Sequence, residues 1–249
     1  MHTLRTRFAN EIVTEFLPPR KKSRRVVILC GGMPSIPAKK AVIEYFAKNN
    51  FWVFFPRYRG TWESDGKFLK RSPHEDVIDI INGLSDGFVS YWDHESYRVQ
   101  PEEIYIIGAS FGGPAAILAS KDERVTAAVA VSPVIDWQHE SEDEPLDFLK
   151  TFVREGFGNG YRFEDAEWNK LAEGNFYNPA AQVSSIDGSK IFIMHSLDDR
   201  AAPYEASHDF SLKTGAKLWT LKKYGHLGLS FATRFVPFMR IKHFFRSVR

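Results

Sequence analysis

The chain has 249 residues, 43% of them hydrophobic, with a formal net charge of +2 and a single cysteine, Cys30. That length supports one large domain, 1–249, with a substantial core, and the near-neutral balance leaves no electrostatic footprint for nucleic acid. One cysteine excludes an intramolecular disulfide, no apolar run is long enough to span a bilayer, and the N-terminal Met-His-Thr-Leu-Arg-Thr-Arg-Phe lacks a secretion-signal core, so a cytoplasmic location is expected.

In chain order, Phe8 to Phe16 reads as an edge strand before Pro18-Pro19, and the basic run Arg20 to Arg25 as a solvated hairpin tip. Arg25 to Leu29 (Arg-Val-Val-Ile-Leu) predicts a buried strand that stops at Gly31-Gly32. Lys39 to Asn49 carries apolar residues at helical spacing, Phe51 to Phe55 is the next strand, and Pro73 to Leu84 is a helix with Ser72 ahead of its first-turn proline. Ile104 to Ile107 predicts a buried parallel strand, Pro114 to Ser120 a helix and Val125 to Val131 a further strand. The period then breaks. From Ser132 to about Ser189 the chain is rich in acidic, aromatic and glycine residues, with helical stretches at Leu146 to Arg154 and Phe163 to Ala172. This segment is too long for an ordinary connection and is expected to be a helical cap over the sheet's carboxyl edge. Alternation resumes with strand Lys190 to His195, helix Tyr204 to Thr214, strand Lys217 to Leu221 and a final helix beyond Leu227. Strands alternating with helices imply an α/β fold, with a mostly parallel sheet covered on both faces and a site at the strands' carboxyl ends.

Gly108-Ala109-Ser110-Phe111-Gly112 falls at such an end. A serine between glycines, where a buried strand gives way to a helix, sits on a sharp turn that exposes its hydroxyl as a nucleophile. Serine needs a histidine base, and the base needs a carboxylate to orient it. Tyr224-Gly225-His226 follows the last strand and supplies His226 as the base; Asp198 and Asp199 both stand in the loop after the preceding strand, where one of the two would also cap the helix ahead of Pro203. His195 ends that strand ahead of the acid loop and is expected to shape it. For the oxyanion, backbone amides are expected from Phe111, at a helix N-terminus, and from Gly32, with Met33 as the alternative. No metal-ligand cluster or dinucleotide fingerprint is present in the sequence, so no cofactor is expected. Cys30 lies off the turn and is expected to pack at a strand end.

Several segments resemble the catalytic domain of the prolyl oligopeptidase family of serine hydrolases, within the α/β-hydrolase fold. Gly31-Gly32-Met33-Pro34 is similar to that family's His-Gly-Gly-Pro turn, Pro56-Arg57-Tyr58-Arg59-Gly60 to its Pro-Asn-Tyr-Arg-Gly, and Ser132-Pro133-Val134-Ile135-Asp136-Trp137 to its Ser-Pro-Val-Thr-Asp-Trp. The stretch His195 to Pro203 resembles its His-Gly-x-x-Asp-x-x-Val-Pro acid loop, which implies that Asp199 is the acid. The resemblance spans roughly residues 25 to 245 and implies a Ser110–His226–Asp199 triad. Cys30 stands where many members carry His or an oxyanion-binding Tyr, so backbone donors must suffice there. With only about 25 residues ahead of the similar segment, and no propeller among them, the expected substrate is a small carboxylic ester. A short peptide or amide is the alternative substrate, and a binding protein with a vestigial triad the alternative of another class. Trp137, Phe148, Phe152, Phe157, Tyr161, Phe163 and Trp168 are expected to line an acyl pocket or pack the cap. The basic, aromatic C-terminal stretch from Leu227 reads as a helix packed on the sheet, with a membrane-surface role as the lesser alternative. A homo-oligomer is left open.

Overall fold

The computed structural model describes residues 2–139 and 141–248. Strands β1 (Leu4–Phe8) and β2 (Ile12–Leu17) form an antiparallel hairpin. Here the single edge strand expected over 8–16 is corrected. Ala9 and Asn10 take φ of 48° and 59°, which reverses the chain within the stretch read as one strand. Strand β3 (Arg25–Cys30), helix α1 (Lys40–Lys48), strand β4 (Trp52–Pro56) and helix α2 (Pro73–Leu84) follow. A short hairpin of β5 (Phe88–Val89) and β6 (Ser96–Tyr97) comes next, unanticipated in the sequence. The chain continues through β7 (Glu103–Ala109), α3 (Gly112–Ala119) and β8 (Val125–Val131). The segment 132–189 contributes α4 (Leu146–Phe157), α5 (Asp165–Asn169) and short 3-10 turns. Then come β9 (Ile191–Ser196), α6 (Tyr204–Thr214), β10 (Lys217–Leu221) and α7 (Phe235–Ser247).

Eight strands form one sheet in the order β1-β2-β4-β3-β7-β8-β9-β10. All pairs from β4 to β10 are parallel, and the β1–β2 hairpin adds an antiparallel edge. Because β4 lies between β2 and β3, the basic run at 20–25 is a crossover and not the expected hairpin tip. Arg24 pairs with Glu102 at 2.6 Å, and Arg25 lies over the Phe51 ring at 4.6 Å.

The side chains of each central strand alternate between two cores. Val26, Ile28, Ile104 and Ile106 point to the face covered by α2, α3 and α6, where Ile80, Ile117 and Phe210 meet them. Val27, Leu29, Tyr105 and Ile107 point to the face covered by α1 and α7, against Phe46, Ile241 and Phe245. Their near-continuous apolar sequence follows from burial on both sides. Phe238, Phe244 and Phe245 of α7 are thus taken up inside the core, where Tyr105 and Phe245 stack at 3.8 Å, whereas Phe235 stays exposed. Among the described residues no helix is long and apolar enough to cross a membrane. The register sets Cys30 beside Gly108 and Gly108 beside Ala130, aligning the carboxyl ends of β3, β7 and β8. At that edge the segment that follows β8 is joined to the start of α3, the Tyr177 hydroxyl donating to the Phe111 carbonyl at 2.6 Å.

Candidate active site

Ser110 occupies the turn between β7 and α3 with φ of 53°, a left-handed conformation that a serine adopts only at a cost of about 1–3 kcal/mol. Its neighbours hold it there. The Ser110 N–H donates to Val131 O at 2.9 Å, and Ser110 O accepts from Gly113 N–H at 2.9 Å. A Cβ at Gly108 would lie 1.9 Å from Gly112 O, and one at Gly112 would lie 2.2 Å from Cys30 O. Only glycine at both positions lets helix α3 start this close to β3 and β7.

His226 lies in the loop after β10, with Nδ1 at 2.9 Å from both carboxylate oxygens of Asp199. Two acceptors there put the proton on Nδ1 and leave Nε2 as the basic nitrogen. Asp199 is buried, and its Oδ1 also accepts from the Ala201 and Ala202 amides at 3.1 and 3.0 Å. The turn ahead of Pro203 is therefore closed by Asp199 itself. Burial raises its carboxyl, but hydrogen bonds from His195 and His226 outweigh burial and hold it well below the usual carboxylate range. Asp198 turns elsewhere: its Oδ1 accepts from the Ser196 hydroxyl at 2.5 Å and from the Tyr224 and Gly225 amides at 3.1 and 3.0 Å.

His195 is fully buried, with Nε2 facing Asp199 Oδ2 at 3.1 Å and Ala202 O at 2.9 Å. Two acceptors place its proton on Nε2, so Nδ1 accepts from the Ser207 hydroxyl at 2.8 Å. These contacts tie the end of β9 to the loop that carries Asp199. Ser132, with φ of 43°, has its hydroxyl 3.1 Å from the Leu227 N–H and tethers the far side of the histidine loop. Neither this tether nor the Asp198 contacts were foreseen. The similarity of Ser132-Pro133 to a family segment was the available signal.

Ser110 and His226 line one cavity of about 220 Å³ together with Gly32 and Met33. No direct hydrogen bond joins the two side chains among the described residues. Gly32 packs on Ser110 so closely that a Cβ there would be 3.2 Å from Ser110 Cβ. Phe111 precedes the first turn of α3. A second cavity, of about 380 Å³, is lined by Ser110 and walled by Phe111, Val134, Trp137 and Leu149.

Of the seven aromatic residues expected to line a pocket or to pack, Trp137 is the one that reaches that wall. Tyr161 packs on Phe68 and Trp168 on Phe163, both inside the core, whereas Phe148 and Phe152 stack on each other at the surface, 56% and 47% exposed. Cys30 is buried, and burial pushes its thiol up to about 12, which keeps it a packing residue at this strand end. Among the described residues no group of three or more His, Cys, Asp or Glu side chains is gathered to hold a metal ion.

The sheet order, the serine turn and the histidine loop together define the α/β-hydrolase fold. The Butyrivibrio proteoclasticus protein Est1E, solved with ferulic acid bound, superposes with a TM-score of 0.66 at 19% identity, covering 96% of this chain and 98% of that one. The Pyrococcus furiosus esterase Pf2001 gives 0.68 at 18% identity, covering 99% and 90%. The α/β hydrolase GrgF from a Penicillium species gives 0.71 at 18% identity, covering 99% and 98%. No curated protein matches the chain. A family model of the prolyl oligopeptidase family matches residues 37–229, and the chain belongs to that family.

Proposed function

We propose that this protein is a serine hydrolase that cleaves small carboxylic esters through an acyl-enzyme. The observation that carries this reading is Ser110 in a left-handed turn, sharing a cavity with a histidine whose Nδ1 is held by a buried carboxylate. In the first step the Ser110 hydroxyl passes its proton to His226 Nε2 as Oγ bonds to the ester carbonyl carbon. The resulting oxyanion is received by the backbone N–H groups of Phe111 and Gly32. Collapse breaks the bond to the alcohol oxygen, which leaves with the proton from His226. Water, deprotonated by the same imidazole, then attacks the acyl group and restores Ser110. Asp199 fixes the His226 tautomer throughout and stabilises the imidazolium.

A small acyl group fits a cavity of about 380 Å³. The ferulic acid held by Est1E is itself a carboxylic acid, the product class of ester cleavage. Family membership favours a second reading, hydrolysis of short peptides or amides, which needs the same residues and more help for the leaving group.

The test is turnover of p-nitrophenyl esters of graded chain length beside aminoacyl p-nitroanilides, with Ser110→Ala as control. Ester turnover that disappears in the variant, with Ser110 labelled by a fluorophosphonate in the wild type, is expected. Anilide turnover of comparable efficiency would promote the peptidase reading. A wild type that turns over neither and resists labelling would sink both and favour a hydrolase-fold binding protein.

A further inference from the structure

The two cavities that meet at Ser110 differ in charge. Among the described residues the larger has Asp136, Glu144 and Asp147 in its wall and neither lysine nor arginine, whereas the smaller includes Lys39. Glu144 stands in both walls. Its sequence neighbours are neutralised outside the site, where Arg200 reaches Glu142 at 3.0 Å and Asp143 at 2.9 Å. Asp136 is occupied as well, accepting from the Gln138 amide at 3.0 Å and from Asn178 Nδ2 at 2.9 Å. The Glu144 carboxylate is different: it is half-buried, with no ion pair or hydrogen bond among the described residues. Only its backbone is engaged, through N–H to the Ser141 hydroxyl at 2.9 Å. Burial pushes its carboxyl up, and the nearby His226 pulls the other way. A partly desolvated anion without a partner is unfavourable, and a ligand cation placed beside it removes that penalty.

Position decides which end of the substrate carries the cation. His226 returns its proton to the leaving group, so that group departs through the cavity His226 lines, where Lys39 opposes positive charge. The acyl group is left with the larger cavity.

Resting on the hydrolase reading above, we propose that Glu144 is a specificity-determining residue that binds a protonated amine on the acyl group, making amino-acid esters the preferred substrate class.

The test compares alanine ethyl ester with ethyl isobutyrate, in which a methyl group replaces the ammonium, at pH 7, below the usual α-amino pKa of about 7.7–8.0. Glu144→Gln is expected to lower the kcat/KM ratio of the alanine to the isobutyrate ester by roughly tenfold or more, the range of a charge-assisted contact. Taking the ratio within each protein cancels the different reactivities of the two esters. In the wild type, isopropylammonium is expected to inhibit isobutyrate hydrolysis competitively and more strongly than 2-propanol, a readout that needs no variant. An unchanged ratio, or equal inhibition by amine and alcohol, overturns the proposal while leaving the hydrolase reading intact. No turnover of either ester together with no fluorophosphonate labelling of Ser110 overturns both.

Discussion

Asp199 serves four donors at once: His226 Nδ1, His195 Nε2 and the amides of Ala201 and Ala202. An amide in its place can accept some of these bonds, but its NH₂ faces a ring nitrogen that is itself a donor. Asp199→Asn therefore favours the wrong His226 tautomer, and kcat should fall by roughly 10³- to 10⁴-fold with little change in KM. A KM rise with kcat preserved would argue against an orienting role. The same carboxylate carries a pH signature. Because its folded pKa lies below the unfolded value of about 3.9, its contribution to stability is fully present above that pH and is lost as pH falls towards the folded value. Between pH 5 and 2, urea midpoints of Asp199→Asn should decline less steeply than those of the wild type; parallel declines would mean that Asp199 adds no acid-sensitive stability.

At the scale of elements, the junction of β7 and α3 depends on missing side chains. A Cβ at Gly112 meets the backbone carbonyls of Cys30 and Gly31 at 2.2 and 2.6 Å, and backbone cannot rotate away as a side chain can. Gly112→Ala should destabilise the fold by about 3 kcal/mol and displace the Phe111 amide from Ser110, lowering kcat of the proposed reaction as well. Urea unfolding checks the first and ester turnover the second; a midpoint equal to that of the wild type would show that α3 can retreat at no cost. This junction was legible in the sequence, because a glycine-flanked serine between an apolar strand and a helix has few other uses. The central strands were legible for a related reason, since burial on both faces leaves them almost continuously apolar. What escaped was set by contacts between distant segments. Asn10 is a weak turn signal inside the stretch read as one strand, and only pairing of Leu4 with Phe16 shows that two strands are present. The aromatic residues of the segment 132–189 carry no mark of direction, so Phe148 and Trp168 look alike in sequence and lie at opposite extremes of exposure. The Ser132 and Asp198 tethers join loops far apart in the chain, and a polar side chain does not announce which amide it will meet.

Across the whole molecule, the antiparallel hairpin and the parallel sheet are tied by one buried cation. The Arg59 guanidinium pairs with Glu11 in the β1–β2 turn and with Asp76 on α2, and reaches Asp79 at 2.6 Å. The Arg59 backbone N–H donates to Asp76 Oδ2 at 2.8 Å, so the loop after β4 is fixed as well. The Arg59 and Asp76 side chains are only 8% and 3% exposed. Removing the arginine leaves the aspartate buried without its counter-charge, and Arg59→Ala should cost about 3–5 kcal/mol. Guanidinium unfolding would measure it, and a loss below about 1 kcal/mol, the range of a surface pair, would show that water replaces the guanidinium freely.

The loop that carries His226 is held on both sides by groups other than the imidazole: Asp198 takes the amides of Tyr224 and Gly225, and Ser132 takes that of Leu227. The position of the ring is consequently a property of the scaffold. In the proposed reaction the base is preorganised before any substrate arrives, the entropy of fixing it is settled once when the chain folds, and each catalytic cycle starts from a poised geometry.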